Sequence, residues 1–220
     1  MKILFEDNHI IVVVKDPNIL SQADSTNDLD MLTLIKNYIK EKYNKPGNVY
    51  LGLIHRLDRM VGGVMVFAKT SKAASRLSDQ VRTHKFTKTY LAIVHGTPKH
   101  QDTLINYLEK DEKTNTVYVM PYETDKAKYA ELSYEVLETK RNLSLLKVNL
   151  KTGRPHQIRV QLSHIGHPIA GDKKYGINDD VQNIALYAYK LSFYHPTTKE
   201  LLTFTSYPTE YPFNLFNIRD

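Results

Sequence analysis

Apolar residues separated by short polar turns predict most of the regular structure of this chain. Residues 3–5 and 10–14 are predicted to be two strands joined by a turn. Apolar side chains at helical spacing predict a helix over residues 30–43, which Lys45-Pro46-Gly47 ends. Further strands are predicted at 49–54, 64–68, 89–95, 116–120, 129–137, 143–150, 184–193 and 201–205.

Two more helices are predicted, each with its own end signal. Ser71 is interpreted as the N-cap of a helix reaching about residue 84. Pro155 is interpreted as the first residue of another, which Gly166 ends. The polar residues 15–30 are predicted to form a loop, and the charged, weakly patterned residues 99–128 a hairpin or excursion.

The pattern as a whole predicts a single α+β domain, residues 1–220, with more strand than helix. No internal repeat, low-complexity tract or linker interrupts the sequence. At 220 residues the chain is long enough to bury a sizeable core.

Composition and charge exclude several classes of protein. Hydrophobic residues make up 41% and charged residues 25%, which is typical of a soluble globular protein. The chain has 30 basic and 24 acidic residues, and this excess suits a polyanionic partner without demonstrating one. Because there is no cysteine, disulfides, thiolate metal sites and a cysteine nucleophile are excluded. The histidines show no convincing pattern of metal ligands, so no metal is expected.

The apolar segments are too short for a membrane span, and the amino terminus lacks the layout of a signal peptide. We therefore predict a cytoplasmic protein.

The candidate chemistry lies between the predicted strands 49–54 and 64–68. Asp58 stands between Arg56 and Arg59, and a carboxylate flanked by cations stays ionised at neutral pH. Such a group serves as a nucleophile or base, not as an acid. No second carboxylate stands nearby to complete the acid–base pair of a glycosidase. The alternative is a structural salt bridge, and these residues alone do not separate the two.

Three motifs in order carry a family resemblance. They are His55-Arg56-Leu57-Asp58, Lys88-Thr-Tyr-Leu-Ala-Ile-Val94 and Thr152-Gly-Arg-Pro-His-Gln-Ile-Arg159. With them the chain resembles the RluA-type RNA pseudouridine synthases, over almost its whole length. The resemblance implies a mixed, mostly antiparallel sheet with a central catalytic cleft and flanking helices. The chain matches a short member of this family, one without the amino-terminal S4 domain.

The resemblance also implies a mechanism. Asp58 would attack a uridine flipped out of its RNA, and the base would be detached, turned and rejoined through carbon, with no cofactor. Tyr90 would lie against the base and could act as a base, although a strand tyrosine more often fills a core. Arg159 would pair with Asp58. The RNA would be bound by the neighbours of these residues, namely His55, Arg56, Arg59, Arg154, His156 and Gln157.

Three positions depart from the family pattern. Val61-Gly62-Gly63 stands where Thr-Ser-Gly is usual, Lys15-Asp-Pro-Asn18 replaces Lys-Pro-x-Gly, and Gln161 replaces a common histidine. The loss of two hydroxyls makes it unsafe to transfer any relative's target uridine. The expected partner is ribosomal or transfer RNA, bound by a monomer. The rival interpretations are a non-catalytic RNA-binding or RNA-chaperone paralogue and a nucleoside or glycoside hydrolase.

Overall fold

The computed structural model describes residues 1–26 and 28–218. The chain divides into two compact units. Unit 1 comprises Met1–Thr87 and Ala188–Ser206, and unit 2 comprises Lys88–Tyr187 and the chain from Tyr207 onward. In the described residues no helix is long and apolar enough to cross a membrane.

Unit 1 is built on antiparallel strands with two helices. The strands are β1 (Lys2–Glu6), β2 (Ile10–Lys15), β3 (Gly52–Leu53), β4 (Gly62–Ala68), β10 (Leu186–Tyr194) and β11 (Leu201–Thr205). They are ordered β1-β2-β4-β10, while β3 also pairs with β4 and β11 with β10. The helices are α1 (Met31–Lys42) and α2 (Ser71–Arg82), and α2 lies against β3 and β4.

The central strands of unit 1 are buried on both faces. Every residue of β2 and β4 is buried, which is why their sequences read as nearly continuous apolar runs and not as alternating ones. Val12, Val66 and Phe193 belong to the core that these strands form with Leu77 of α2.

A polar cluster fastens α1 to the edge of unit 1. The Glu6 carboxylate accepts hydrogen bonds from Lys42 and Lys69, each at 2.7 Å, and from the hydroxyls of Tyr38 and Tyr43 at 2.9 and 2.8 Å. Burial by itself raises the pKa of Glu6, but these donors outweigh it and lower the pKa to about 2.

We expect Glu6→Gln to lower the free energy of unfolding at pH 7 by about 2 kcal/mol. The folded pKa lies below the ordinary value of 4.5, so this stabilisation is complete above pH 4.5 and is lost as the pH falls towards about 2. Urea unfolding of both proteins across that range would measure the difference. The exposed Glu41→Gln serves as control. If the difference in free energy of unfolding between wild type and Glu6→Gln stayed constant with pH, the charge of Glu6 would not be the source of the stabilisation.

Unit 2 contains a second set of antiparallel strands and one helix. The strands are β5 (Thr87–His95), β6 (Gln101–Asp111), β7 (Thr116–Met120), β8 (Lys128–Lys140) and β9 (Leu143–Leu150), in the order β5-β9-β8-β6-β7. Helix α3 (Gln157–His164) lies against β6 and β7, where Val160 packs with Leu108, Val117 and Ala130. A short 3-10 helix, Phe213–Leu215, follows near the carboxyl end.

Several predicted elements are confirmed with small shifts, and four details are wrong. The N-cap of α2 is Thr70, whose hydroxyl accepts from the amide of Ala73, and not Ser71. The predicted strand at 49–54 is reduced to β3. Among the small shifts, β4 begins at Gly62 and not at residue 64. Strand β6 was not predicted, because only Leu104 and Leu108 in it are fully buried apolar residues and its pairing with β7 and β8 decides its conformation.

The start of α3 is the fourth difference. The helix begins at Gln157 and not at Pro155, and its N-cap His156 has a left-handed backbone with φ of 51°. The Gln157 side chain accepts from the Thr152 hydroxyl at 2.8 Å and from the Arg154 amide at 3.0 Å. These bonds close a turn over residues 152–157 that takes the place of a first helical turn.

Candidate active site

Asp58 lies half-buried on a tightly fixed loop of unit 1. Its carbonyl accepts from the amide of Val61 at 3.0 Å, and its carboxylate from the amide of Met60 at 3.4 Å. The neighbouring Leu57 is bonded at both backbone groups by the Ser21 hydroxyl, at 2.8 and 3.1 Å. The loop therefore holds the carboxylate in a defined position.

Lys15, at the end of β2, supports this loop through hydrogen bonds from its ammonium group. Its side chain is fully buried, and its ammonium donates to the carbonyls of Asp16, Ile19 and Arg59 at 3.1, 2.6 and 2.9 Å. Burial lowers the pKa of Lys15 to about 8, a shift that the charges of Asp58 and Asp16 oppose and that of Arg59 reinforces. Lys15 thus supplies a positive charge that acts on Asp58 from inside the fold.

We expect Lys15→Met to lower the free energy of unfolding by about 2–3 kcal/mol, because three carbonyls lose the hydrogen-bond donor that they share. It should also slow turnover, because the Asp58 loop loses a support. The folded chain releases the Lys15 proton before the unfolded chain does. The difference in free energy of unfolding between wild type and Lys15→Met should therefore grow between pH 8 and the ordinary pKa of 10.5.

Urea unfolding at several pH values and single-turnover rates would check the role of Lys15. Lys40→Met, at an exposed position of α1, is the control. Equal free energies of unfolding for Lys15→Met and wild type would contradict the supporting role given to Lys15.

The cations predicted to contact RNA on this loop differ in their surroundings. Arg56 is exposed, and Arg59 forms a 2.7 Å ion pair with Asp28 in which both side chains are more than two-fifths exposed. Such a surface pair contributes little to the free energy of unfolding, so Arg59 can exchange Asp28 for an RNA phosphate at low cost. The His55 ring instead packs at 5.3 Å from Phe86 and accepts from the Val66 amide at 3.4 Å. His55 therefore helps to fix the loop to β4.

Tyr90 lies in β5 of unit 2, paired with Val148 of β9, and is buried. Burial raises the pKa of its hydroxyl, which therefore stays protonated at neutral pH. This favours the predicted contact role of Tyr90 over the predicted role as a base.

Arg159, in α3, forms a buried bidentate pair with Asp172. Its Nε and Nη2 donate to the two carboxylate oxygens at 2.8 and 2.7 Å. Its guanidinium carbon lies 5.1 Å from the centre of the Tyr175 ring. Burial by itself raises the pKa of Asp172. The bonds from Arg159, its charge, and the amides of Tyr175 and Lys174 outweigh burial and hold the pKa below its usual range. The guanidinium is thus fixed in one orientation.

The remaining predicted residues surround the amino end of α3. Arg154 is exposed and donates from Nε to the Tyr129 carbonyl at 2.9 Å. The His156 Nδ1 lies 2.8 Å from the Tyr175 hydroxyl. Gln157 is buried, with its side-chain nitrogen bonded to the Glu131 carbonyl at 3.1 Å. Gln157 therefore shapes the turn, while Arg154 is open to solvent.

Apart from Tyr90 in β5, the structure assembles the predicted residues into two groups, one in each unit. His55, Arg56, Asp58 and Arg59 share the loop of unit 1, whereas Arg154, His156, Gln157 and Arg159 share one end of α3. The pairing of Asp58 with Arg159 stays a prediction.

Sequence reasoning missed three supporting residues, Lys15, Ser21 and Asp172. A lysine ending an otherwise apolar strand and an aspartate after Gly171 were the signals that could have indicated Lys15 and Asp172.

Comparison with known proteins identifies the relatives of the chain. A family model described as RNA pseudouridylate synthase matches residues 9–164, a range that contains Asp58, Tyr90 and Arg159. Ribosomal large subunit pseudouridine synthase C of Buchnera aphidicola subsp. Acyrthosiphon pisum (strain APS) is 32% identical over 205 residues, covering 89% of this chain and 63% of that protein. Ribosomal large subunit pseudouridine synthase D of Zymomonas mobilis subsp. mobilis (strain ATCC 31821 / ZM4 / CP4) is 31% identical over 216 residues, covering 93% and 68%.

The solved structure of human RNA pseudouridylate synthase domain containing 4 has the same fold. It superposes with a TM-score of 0.78 at 22% identity and covers 94% of this chain and 88% of that one. The predicted α+β class is confirmed. The chain spans about two thirds of the length of the curated relatives named above. A family model that covers most of the sequence and relatives above 30% identity lead to one conclusion: this chain belongs to the RNA pseudouridylate synthase family.

Proposed function

We propose that this chain isomerises uridine to pseudouridine in structured RNA, with Asp58 as the nucleophile. The observation that carries the proposal is the Asp58 loop, in which a half-buried carboxylate is fixed by the backbone contacts of Lys15 and Ser21. A nucleophile has to be held rigidly beside the reacting atom, because orientation supplies a large part of the rate acceleration.

The proposed reaction keeps all atoms within one nucleotide. Asp58 forms a bond to the flipped-out uridine, and the bond between N1 of the base and C1′ of the ribose breaks. The base turns, C5 bonds to C1′ of the same ribose, and the bond to Asp58 breaks. The proton that C5 carried is lost and N1 gains one, so that atoms and charges balance. Because product and substrate are isomers, the chemistry requires no redox partner and no group donor. The proposal therefore includes no cofactor and no metal.

Tyr90 and Arg159 complete the proposed site. We place Tyr90 against the displaced base, because stacking on aromatic side chains offsets the free energy of flipping. The guanidinium of Arg159 is suited to a carboxylate such as Asp58, because it stays charged and presents its donors in a fixed plane, as its bidentate pair with Asp172 illustrates.

Ribosomal RNA is the first substrate to test, because the named relatives carry the ribosomal large subunit in their names. Transfer RNA is the second. We further propose that the whole chain works as one catalytic domain, as a monomer in the cytoplasm. Light scattering coupled to gel filtration would test the monomer, and fluorescence microscopy of the tagged protein its location.

The deciding experiment incubates the purified protein with ribosomal and transfer RNA from cells lacking its gene. Pseudouridine at defined positions, with no free uracil, is the expected result. RNA binding without any product would instead favour a non-catalytic RNA-binding or RNA-chaperone paralogue. Release of uracil would favour a hydrolase. Mapping pseudouridines in cells with and without the gene would then identify the target uridine.

A further inference from the structure

Unit 1 carries a surface groove of about 680 Å³ between helix α2 and the far end of β10. Its lining residues belong to α2, to the residue before Phe86, to the last residue of β10 and to the turn that follows it. They are Ser75, Arg76, Asp79, Gln80, Lys85, Tyr194 and Lys199.

The floor of the groove is fixed by hydrogen bonds. The buried Gln80 side chain donates to the Tyr194 carbonyl at 2.7 Å and accepts from the Tyr194 amide at 2.8 Å. Arg76 and Lys199 both donate to the Pro196 carbonyl, at 2.8 and 3.1 Å. The shape therefore exists before any ligand arrives, which lowers the entropic cost of binding.

The charge of the groove is positive. Arg76, Lys85 and Lys199 line it against one carboxylate, Asp79, which is bonded to Arg82 at 2.5 Å. Tyr194 is 43% exposed and presents an aromatic ring beside these cations. Cations that contact phosphates, next to an aromatic ring on which a base can stack, are the features that bind single-stranded nucleic acid.

The groove lies at the opposite end of β10 from the Asp58 loop. Gly63, just after that loop, approaches the other end of β10 so closely that a methyl group on it would come within 2.3 Å of the Ala188 carbonyl oxygen. Tyr194 lies six positions after Ala188 along the strand, which corresponds to about 20 Å. An RNA strand would need about six stacked nucleotides to extend over that distance.

We propose that this groove binds the RNA strand that flanks the target uridine, through phosphate contacts of Lys85, Lys199 and Arg76 and through stacking on Tyr194. The inference rests on the proposed function for its choice of partner. It predicts a second RNA contact remote from Asp58, so that long RNA uses both sites and short RNA uses one.

The test measures the affinity of oligouridylate, a probe that requires no knowledge of the natural substrate. Tyr194→Ala should weaken binding of an oligomer of about 12 nucleotides by roughly tenfold. The pair Lys85→Ala and Lys199→Ala should reduce the slope of log affinity against log salt by about 1.5. An oligomer of about 4 nucleotides, too short to reach from Asp58 to the groove, can occupy only one of the two sites and should bind wild type more weakly than the longer oligomer does.

The matched control is the pair Lys36→Ala and Lys40→Ala, which removes the same charge from the exposed face of α1 in the same unit. Circular dichroism and the melting temperature would verify that every variant is folded. If the control pair and the groove pair reduced the salt slope equally, the groove would have no special role. A wild-type affinity that did not rise from the short to the longer oligomer would also overturn the proposal, because only the longer oligomer can reach both sites.

These outcomes are separate from those of the proposed function. Binding is measured without turnover, so a protein that made no pseudouridine would still report on the groove. Conversely, an active enzyme whose affinity did not respond to Tyr194→Ala or to the lysine pair would refute the groove alone.

Discussion

Replacement of Asp58 by asparagine is expected to abolish pseudouridine formation, by a factor of at least about 10⁴, while RNA affinity stays within a few-fold of wild type. Asparagine has the same shape and retains an oxygen that accepts from the Met60 amide, so the loop should keep its conformation. A neutral amide, however, is a very poor nucleophile. Affinity should change little because contacts to phosphate dominate RNA binding.

Single-turnover rates and gel-shift affinities would measure the two effects of Asp58→Asn. Asp24→Asn, in the exposed loop of the same unit, is the matched control and should retain activity. Mass spectrometry of the purified protein must exclude deamidation, which would restore the aspartate. Product formed by protein of verified mass would rule out Asp58 as the nucleophile. A parallel loss of affinity would show that the substitution disturbs the loop.

Arg159→Met should have the largest effect on stability, lowering the free energy of unfolding by about 3–5 kcal/mol. The substitution leaves the carboxylate of Asp172, which is 1% exposed, without its bidentate partner. The bonds from Lys174 and Tyr175 to Asp172 remain and offset only part of the loss. Turnover should also fall sharply if Arg159 contacts Asp58 as the family resemblance implies.

A second substitution separates the two roles of Arg159. Replacing a buried ion pair by apolar side chains is often neutral, so Arg159→Met combined with Asp172→Leu should recover part of the lost stability. It should not recover turnover, because no guanidinium is restored. Recovery of both would show that Arg159 acts only through packing and its pair with Asp172.

The pH dependence provides an independent check of the Asp172 charge. The folded pKa of Asp172 is lowered from 3.8, so its contribution is present above pH 3.8 and is lost as the pH falls further. The stability difference between wild type and Arg159→Met should therefore be largest at neutral pH and shrink in acid. Urea unfolding at pH 7 and below pH 3.8 measures this. A difference independent of pH would assign the loss to packing rather than to the uncompensated charge.

Local sequence patterns determined the elements whose conformation follows from their own residues. Helix α1 has its N-cap at Asp30, whose carboxylate accepts from the Thr33 amide, and its buried residues Met31, Ile35 and Ile39 recur at helical spacing. Strands β9 and β11 were predicted with their observed bounds. These elements were predictable because capping and periodicity act over a few residues.

The sequence also identified the Asp58 loop, because a short motif between two apolar segments is a local feature. It did not identify what holds the loop and the arginine in place. Lys15 reaches the Arg59 carbonyl across 44 positions, and Asp172 reaches Arg159 across 13. Strand β6 and the displaced start of α3 likewise depend on partners brought together by the fold.

Only the tertiary structure could determine the burial of Lys15, the orientation of Arg159 and the groove formed by α2 with Tyr194, whose contacting residues are 114 positions apart. Which distant residues meet depends on strand pairing and on burial across the whole unit, and no local pattern encodes that. The sequence by itself determined most of the elements, the motif and the family. The fold determined which residues support the Asp58 loop and Arg159, how far their pKa values are shifted, and which side chains line the groove. Hydrogen bonds and pKa shifts depend on neighbours in space and not on neighbours in the chain.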